Sequence, residues 1–278
     1  MLSIVRIKGG LGNQMFQYAF FLSLKKKHPF SIYLFDLTES LYCHSGYQFD
    51  YLFHTKTFPL WKAYRRIKKY CPLFFHHTHN ISQENSLQFS NQYFKPLGVI
   101  NVYDGYWQSE KYFAESSKKI RSLYHFNEKL LNDSSRQLMI SMREGTYVSV
   151  HIRRGDYLSL SNHLGICNVS YYQKAISYIK TTVEEPFFIF FSDDILWVKE
   201  HFQEKNAIYV DWNQGKDCWQ DMYLMSQCKH NIIANSSFSW WGAWLNSNPL
   251  KIVVAPKQWF KYSPNYDIIP DGWITLDN

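Results

Sequence analysis

The chain has 278 residues, with 30 Lys and Arg against 23 Asp and Glu and a formal net charge of +7. Hydrophobic residues make up 46% and charged residues 19%, which excludes general disorder and supplies a sizeable core; the length exceeds the usual single-domain size, so two domains are expected. Aromatics reach 19%, which suits an aromatic-rich core or stacking surfaces for sugar rings and bases.

The five cysteines, Cys43, Cys71, Cys167, Cys218 and Cys228, are scattered and form no CxxC pair. Neither a disulfide framework nor a structural zinc site is indicated, and reduced intracellular thiols are the simplest reading. The run Met1–Lys8 interrupts its apolar stretch with charge, unlike a secretory signal, and no apolar stretch reaches membrane-spanning length. A cytoplasmic protein is expected. The positive excess favours an anionic ligand or surface.

In chain order, Ser3–Ile7 reads as a strand that breaks at Gly9-Gly10-Leu11-Gly12 and leads into a helix from Asn13. Ser31–Phe35 reads as a second strand closing on Asp36. The region from 40 to 100 is hard to read. Within it Lys62–Lys69 is basic, either a solvated helix face or a docking patch for an acidic membrane surface. His76-His77-Thr78-His79 lacks the helical spacing and acidic partner of a metal site. From Tyr147 short apolar strands alternate with helices. The expected strands are Tyr147–Ile152, Phe187–Phe191, Ala207–Val210, His230–Ala234 and Lys251–Ala255; the helices are Ser170–Val183, Ile195–Phe202, Cys218–Cys228 and Phe238–Asn246. This predicts an α/β fold with a parallel sheet covered on both faces. A domain boundary is placed near residue 140, after the polar stretch Asn127–Arg136, giving domains 1–140 and 141–278.

Three strand ends carry chemistry, because ligands of open α/β sheets bind outside the carboxyl edge. The first is His151-Ile152-Arg153-Arg154-Gly155-Asp156, where an arginine fork matches phosphate oxygens, or else an Arg–Asp pair ties a loop. The second is Asn235-Ser236-Ser237-Phe238, a strand end that opens a helix and so forms a natural anion site, or an ordinary capped helix. The third is Asp193-Asp194, of which Asp194 suits an N-cap and Asp193 suits a ligand. The loop Gly9–Gln14 lacks the Lys-Ser/Thr of a phosphate-binding Walker loop. Gly10-Leu-Gly12-Asn-Gln-Met15, with Asp36 downstream, keeps an NAD(P)-type site open, although Met15 stands where a third glycine would.

Taken together, GGLGNQMFQYAF, HIRRGDY, FSDD, the run Asp221–His230 and NSSFSWWGAWL resemble the bacterial α-1,2-fucosyltransferases of glycosyltransferase family 11, in order and over nearly the whole chain. The resemblance implies a GT-B fold, two Rossmann-like halves facing across a cleft. It implies metal-independent transfer of L-fucose, with inversion, from GDP-β-L-fucose to the 2-OH of a terminal β-galactoside, with no cofactor beyond that donor. In this reading Arg153 contacts the β-phosphate, Asp156 is the candidate base, and Asn13 reaches toward the reacting centre. His151, Arg154, Gly10, Gly12, Gln14, Asp193, Ser236, Ser237 and Phe238 hold the donor. Partners are GDP-fucose and a glycan, with peripheral inner-membrane association through Lys62–Lys69 and no nucleic acid. Transfer in another linkage, a dinucleotide enzyme and a non-catalytic sugar-binding protein are the alternatives.

Overall fold

A computed structural model describes residues 1–40, 46–55, 66, 69–70, 79–84, 87–155, 157, 167–261 and 267–278. The chain divides into two compact units: residues 1–125 with 266–268, and residues 126–265 with 269–278.

The first unit holds β1 (Leu2–Arg6), β2 (Ile32–Asp36), β3 (His79–Gln83) and β4 (Ile100–Asp104), all parallel in the order β2-β1-β4-β3. Ile4, Leu34, Ile100 and Val102 form the core of the sheet. The helix Leu11–Lys27 follows the glycine turn; its last turn carries Lys25, Lys26 and Lys27, which oppose the negative end of the helix dipole. Its inward face is aromatic. Phe20 stacks on Trp107 with centroids 4.2 Å apart, and Tyr18 lies 4.3 Å from Phe49. Tyr124 Oη, fully enclosed, donates to the Met15 carbonyl at 2.6 Å.

The second unit holds β5 (Thr146–Ile152), β6 (Pro186–Ser192), β7 (Ala207–Val210), β8 (His230–Ile232), β9 (Val253–Pro256) and β10 (Ile274–Leu276). They form one parallel sheet in the order β7-β6-β5-β8-β9-β10, the order of dinucleotide-binding folds. The helices Val169–Thr182, Ile195–His201, Trp219–Gln227 and Ser237–Leu245 cover it. Val148, Val150, Ile152, Tyr171, Phe188, Phe190 and Ile232 are buried in its core. Four of the largest enclosed side chains are Trp107, Trp219, Trp240 and Trp241, so much of the aromatic excess fills cores.

The division after His125 lies upstream of the boundary near residue 140 suggested by the polar stretch Asn127–Arg136. Those polar residues are bonded within the second unit. Asn132 caps the helix Asp133–Ser141, its N–H donates to Gln220 Oε1 at 3.0 Å and its Nδ2 to Asn213 Oδ1 at 2.8 Å. The C-terminal segment completes the second sheet as β10, while Asp267 belongs to the first unit and accepts from the Phe89 N–H at 2.6 Å and from Lys111. Among the described residues no helix is long and apolar enough to cross a membrane. The basic stretch lies outside the described residues apart from Arg66 and Lys69, as do His76, His77, Cys43 and Cys71.

Candidate active site

In the second sheet β5, β6 and β7 step one way and β8, β9 and β10 the other. The reversal between β5 and β8 opens a crevice at their carboxyl ends, where such folds bind ligands. Two of the sequence-predicted segments stand at those strand ends: His151 and Ile152 close β5 with Arg153–Gly155 after them, and Asn235–Phe238 follow β8.

The two arginines diverge. Arg153 Nη1 pairs with Asp193 Oδ2 at 3.0 Å, and its guanidinium lies 5.5 Å from the Tyr157 ring. Arg154 Nε pairs instead with Asp194 Oδ2 at 3.1 Å, and its guanidinium sits over Trp197 at 3.6 Å. The Arg154 N–H donates to the other Asp193 oxygen at 2.9 Å. Asp193 therefore braces the loop through both oxygens. Gly155 permits this, since a Cβ there would lie 2.5 Å from Asp193 Oδ2. Asp194 accepts from the Trp197 N–H at 3.3 Å and caps its helix, as its position suggests. Asp156 lies outside the described residues.

His151 is buried, with its ring centroid 5.8 Å from that of Phe238. Burial, aided by the Arg153 charge, pushes its pKa down to about 3, so the ring is neutral at working pH. Among the described residues its Nδ1 has no hydrogen-bond partner. A buried polar atom left in that state is a cost unless a ligand meets it.

Across the crevice, Ser236 caps the helix Ser237–Leu245 and accepts from the Phe238 N–H at 3.4 Å. The first turn carries no acid, so nothing there offsets the positive end of the helix dipole. Asn235 fixes this turn: its Nδ2 donates to the Trp259 carbonyl at 2.9 Å, and its own carbonyl accepts from Tyr157 Oη at 3.1 Å. The loops after β5 and β8 are thus tied together. Gly242 lets this helix lie against Trp219–Gln227, since a Cβ there would be 2.9 Å from Met225 Cβ.

The glycine loop belongs to the first unit. Gly9 takes φ +76°, and a Cβ on it would lie 2.5 Å from Asn13 Nδ2. Gly10 precedes the helix and accepts from the Asn13 and Gln14 N–H groups at 3.0 and 3.1 Å. Gly12 is buried within the first turn. Asn13 Oδ1 accepts from Gln108 Nε2 at 2.8 Å. Gln14 is turned inward: its Nε2 donates to the Gly9 and Gly46 carbonyls, each at 3.0 Å, and its Oε1 accepts from the Gln48 N–H at 3.3 Å. Asp36, the ribose candidate of the dinucleotide alternative, accepts from the Thr38 N–H at 3.2 Å and lies 3.9 Å from Arg6 Nε.

Sequence reasoning passed over the residues that follow β3 and β4. Glu84, Tyr106, Trp107 and Gln108 stand at the same edge as Lys8 and Asn13. The signal was the polar-aromatic run Asp104-Gly-Tyr-Trp-Gln108 directly after an apolar strand. Among the described residues no three His, Cys, Asp or Glu side chains gather closely enough to hold a metal ion.

Comparison with known proteins agrees with this architecture. The chain is 37% identical to an alpha-1,2-colitosyltransferase of Escherichia coli over 99% of its own length and 98% of that protein's. It is 28% identical to galactoside alpha-(1,2)-fucosyltransferase 1 of Ateles belzebuth, over 51% of this chain and 42% of that one. Fucosyltransferase NodZ from Bradyrhizobium superposes with a TM-score of 0.52 at 14% identity, over 87% of this chain and 90% of that one, and shares the fold. Two Rossmann-like parallel-sheet domains make this a GT-B protein. The sequence profile of glycosyl transferase family 11 matches residues 1–276, and the chain belongs to that family of glycosyltransferases.

Proposed function

We propose that the chain transfers L-fucose from GDP-β-L-fucose to the 2-OH of a terminal β-galactoside, with inversion and without a metal or resident cofactor. The observation that supports it most directly is the crevice between β5 and β8. It combines the braced guanidinium of Arg153, the neutral buried ring of His151 and a helix N-terminus free of acids. That set suits a diphosphate: an arginine fork and a helix N-terminus both favour charge on phosphate oxygens.

In the reaction the acceptor oxygen bonds to the anomeric carbon as the bond to the β-phosphate oxygen breaks. Negative charge grows on the departing GDP, and Arg153 stabilises it where it develops. Asp193 keeps the guanidinium aimed, and Arg154 holds the loop against Trp197. The acceptor proton goes to a base, for which Asp156 is the candidate, or leaves with solvent late in an oxocarbenium-like transition state. Asn13 belongs to the acceptor side in this reading.

The colitosyltransferase relative favours a second reading of the donor. Colitose is L-fucose without its 3-hydroxyl, so the sugar transferred would be the 3-deoxy one. Incubation with GDP-fucose and lactose in EDTA, read by mass spectrometry and NMR, tests the proposal. A new α-fucose on the galactose 2-OH is the expected product. GDP binding without transfer shifts the acceptor or the donor sugar; no GDP binding by folded protein overturns the proposal.

A further inference from the structure

The loops after β1, β3 and β4 meet at the carboxyl edge of the first sheet, and they contain a strained turn. Trp107 takes φ +54°, a left-handed conformation unusual for a bulky residue. The turn is held from two sides. Its indole is completely buried, stacked on Phe20 and edge-on to Tyr93 at 5.0 Å and Tyr112 at 5.6 Å. Its backbone is clamped by Glu84, whose Oε2 accepts from the Tyr106 N–H at 2.6 Å and the Trp107 N–H at 3.0 Å. Gly105 makes room for the clamp, because a Cβ there would lie 2.6 Å from Glu84 Cβ and 2.8 Å from the Trp107 ring.

Of the residues in the anchored turn Tyr106 is the most exposed, at 41%. Lys8 Nζ lies 4.8 Å from the ring centroid and is itself held by Asp104 Oδ1 at 2.8 Å. Beside it Gln108 and Asn13 join their amides at 2.8 Å. A turn selected for stability alone would relax the strain and bury the ring. A rigid exposed aromatic flanked by ordered amides and a fixed ammonium is instead what a hexose needs: its C–H face stacks on the ring and its hydroxyls meet the polar groups.

We infer that Tyr106 is the platform on which the acceptor sugar stacks, that Glu84 is the residue that positions it, and that the Gln108–Asn13 amide pair binds a hydroxyl of the same sugar. This inference rests on the proposed transfer to a hexoside, whose acceptor end it assigns.

Three readouts on the same preparations test it: acceptor KM at saturating donor, GDP affinity by calorimetry, and saturation-transfer NMR with methyl β-galactoside and other methyl hexosides. For Tyr106→Ala the expected result is an acceptor KM raised about tenfold or more with GDP affinity within about twofold. Tyr106→Phe restores the ring and is expected to recover most of the acceptor affinity that Tyr106→Ala loses; a Phe variant as weak as the Ala variant overturns the stacking role. Glu84→Gln, which retains one acceptor oxygen, raises acceptor KM less than Tyr106→Ala and leaves GDP affinity alone. An acceptor KM unchanged in Tyr106→Ala overturns the inference, as does a hexoside NMR signal that is absent in wild type or indifferent to the ring. If no β-galactoside accepts sugar yet another hexoside gives a Tyr106-dependent signal, the acceptor in the proposed function is wrong and the platform stands.

Discussion

At the carboxyl edge of the second sheet each arginine has its own aspartate, Arg153 with Asp193 and Arg154 with Asp194. At the same edge of the first sheet Arg6 and Lys8 share one carboxylate, Asp104, at 2.7 and 2.8 Å. Burial raises the Asp104 pKa, but the bonds from Lys8 and Arg6 outweigh it and hold the carboxyl below its usual value; burial likewise lowers Lys8, and Asp104 more than restores it. The first edge therefore ties its charge up in a compact triad beside aromatic rings. The second pairs each arginine singly, on the loop that follows β5, and a helix N-terminus without acids follows the neighbouring β8. In the proposed function the first edge takes the hydroxyl-rich acceptor and the second the diphosphate of the donor.

The most damaging change expected is Arg153→Ala. It removes charge stabilisation at the second edge and should lower kcat/KM by about 10²–10³-fold with the fold intact. Activity within about tenfold of wild type would break the assignment. Lys8→Ala is the matched control, expected to leave GDP affinity within about twofold, because its charge is already met by Asp104.

The second edge also carries a pH signature. An unfolded histidine titrates near 6.5, whereas burial holds His151 at about 3. As pH falls below about 6.5 the unfolded chain gains a proton that the folded ring refuses, so this site loses stability progressively down to about pH 3. At pH 5 the loss amounts to about 2 kcal/mol. Melting temperatures at pH 7 and pH 5 should therefore diverge more in wild type than in His151→Asn. Equal slopes would place the ring in contact with water.

The two edges were also unequally legible. A strand buried on both faces leaves a continuous apolar run, so Phe188–Phe191 stands out in the sequence, and Val148, Val150 and Ile152 mark β5 by their two-residue spacing. β3 reads His-Asn-Ile-Ser-Gln, lies at the sheet edge and leaves Ile81 54% exposed, so it has no such run to find. With β3 unseen, the turn after β4 had no visible context, and its left-handed residue is a tryptophan that no glycine signals. A side chain's partners are less legible in the sequence than its place. Asp193 was expected to hold guanosine, and a carboxylate at a strand end reads the same whether it meets a ligand or braces an arginine. Gln14 was expected at the ligand; it is closed over by the segment around Gly46–Gln48, a contact remote in sequence.

A matched pair of glycine variants sharpens the comparison with the smallest change. Gly155 and Gly105 occupy equivalent places, each just past a strand end and each giving way to a carboxyl-bearing side chain. An added Cβ would come within 2.5 Å of Asp193 Oδ2 in one case and 2.6 Å of Glu84 Cβ in the other. Neither neighbour is free to swing aside, since Asp193 is bonded to both arginines' loop and Glu84 to two N–H groups. Gly155→Ala should displace Arg153 and weaken GDP binding by about tenfold, leaving the first edge as it is. Gly105→Ala should displace Tyr106 and raise the acceptor KM by a similar factor, about tenfold, leaving GDP affinity as it is. Calorimetry with GDP and acceptor titrations on both variants read the four numbers. If both variants lose GDP affinity alike, the two edges do not hold separate ligands; if each loses one function, donor and acceptor bind on different sheets.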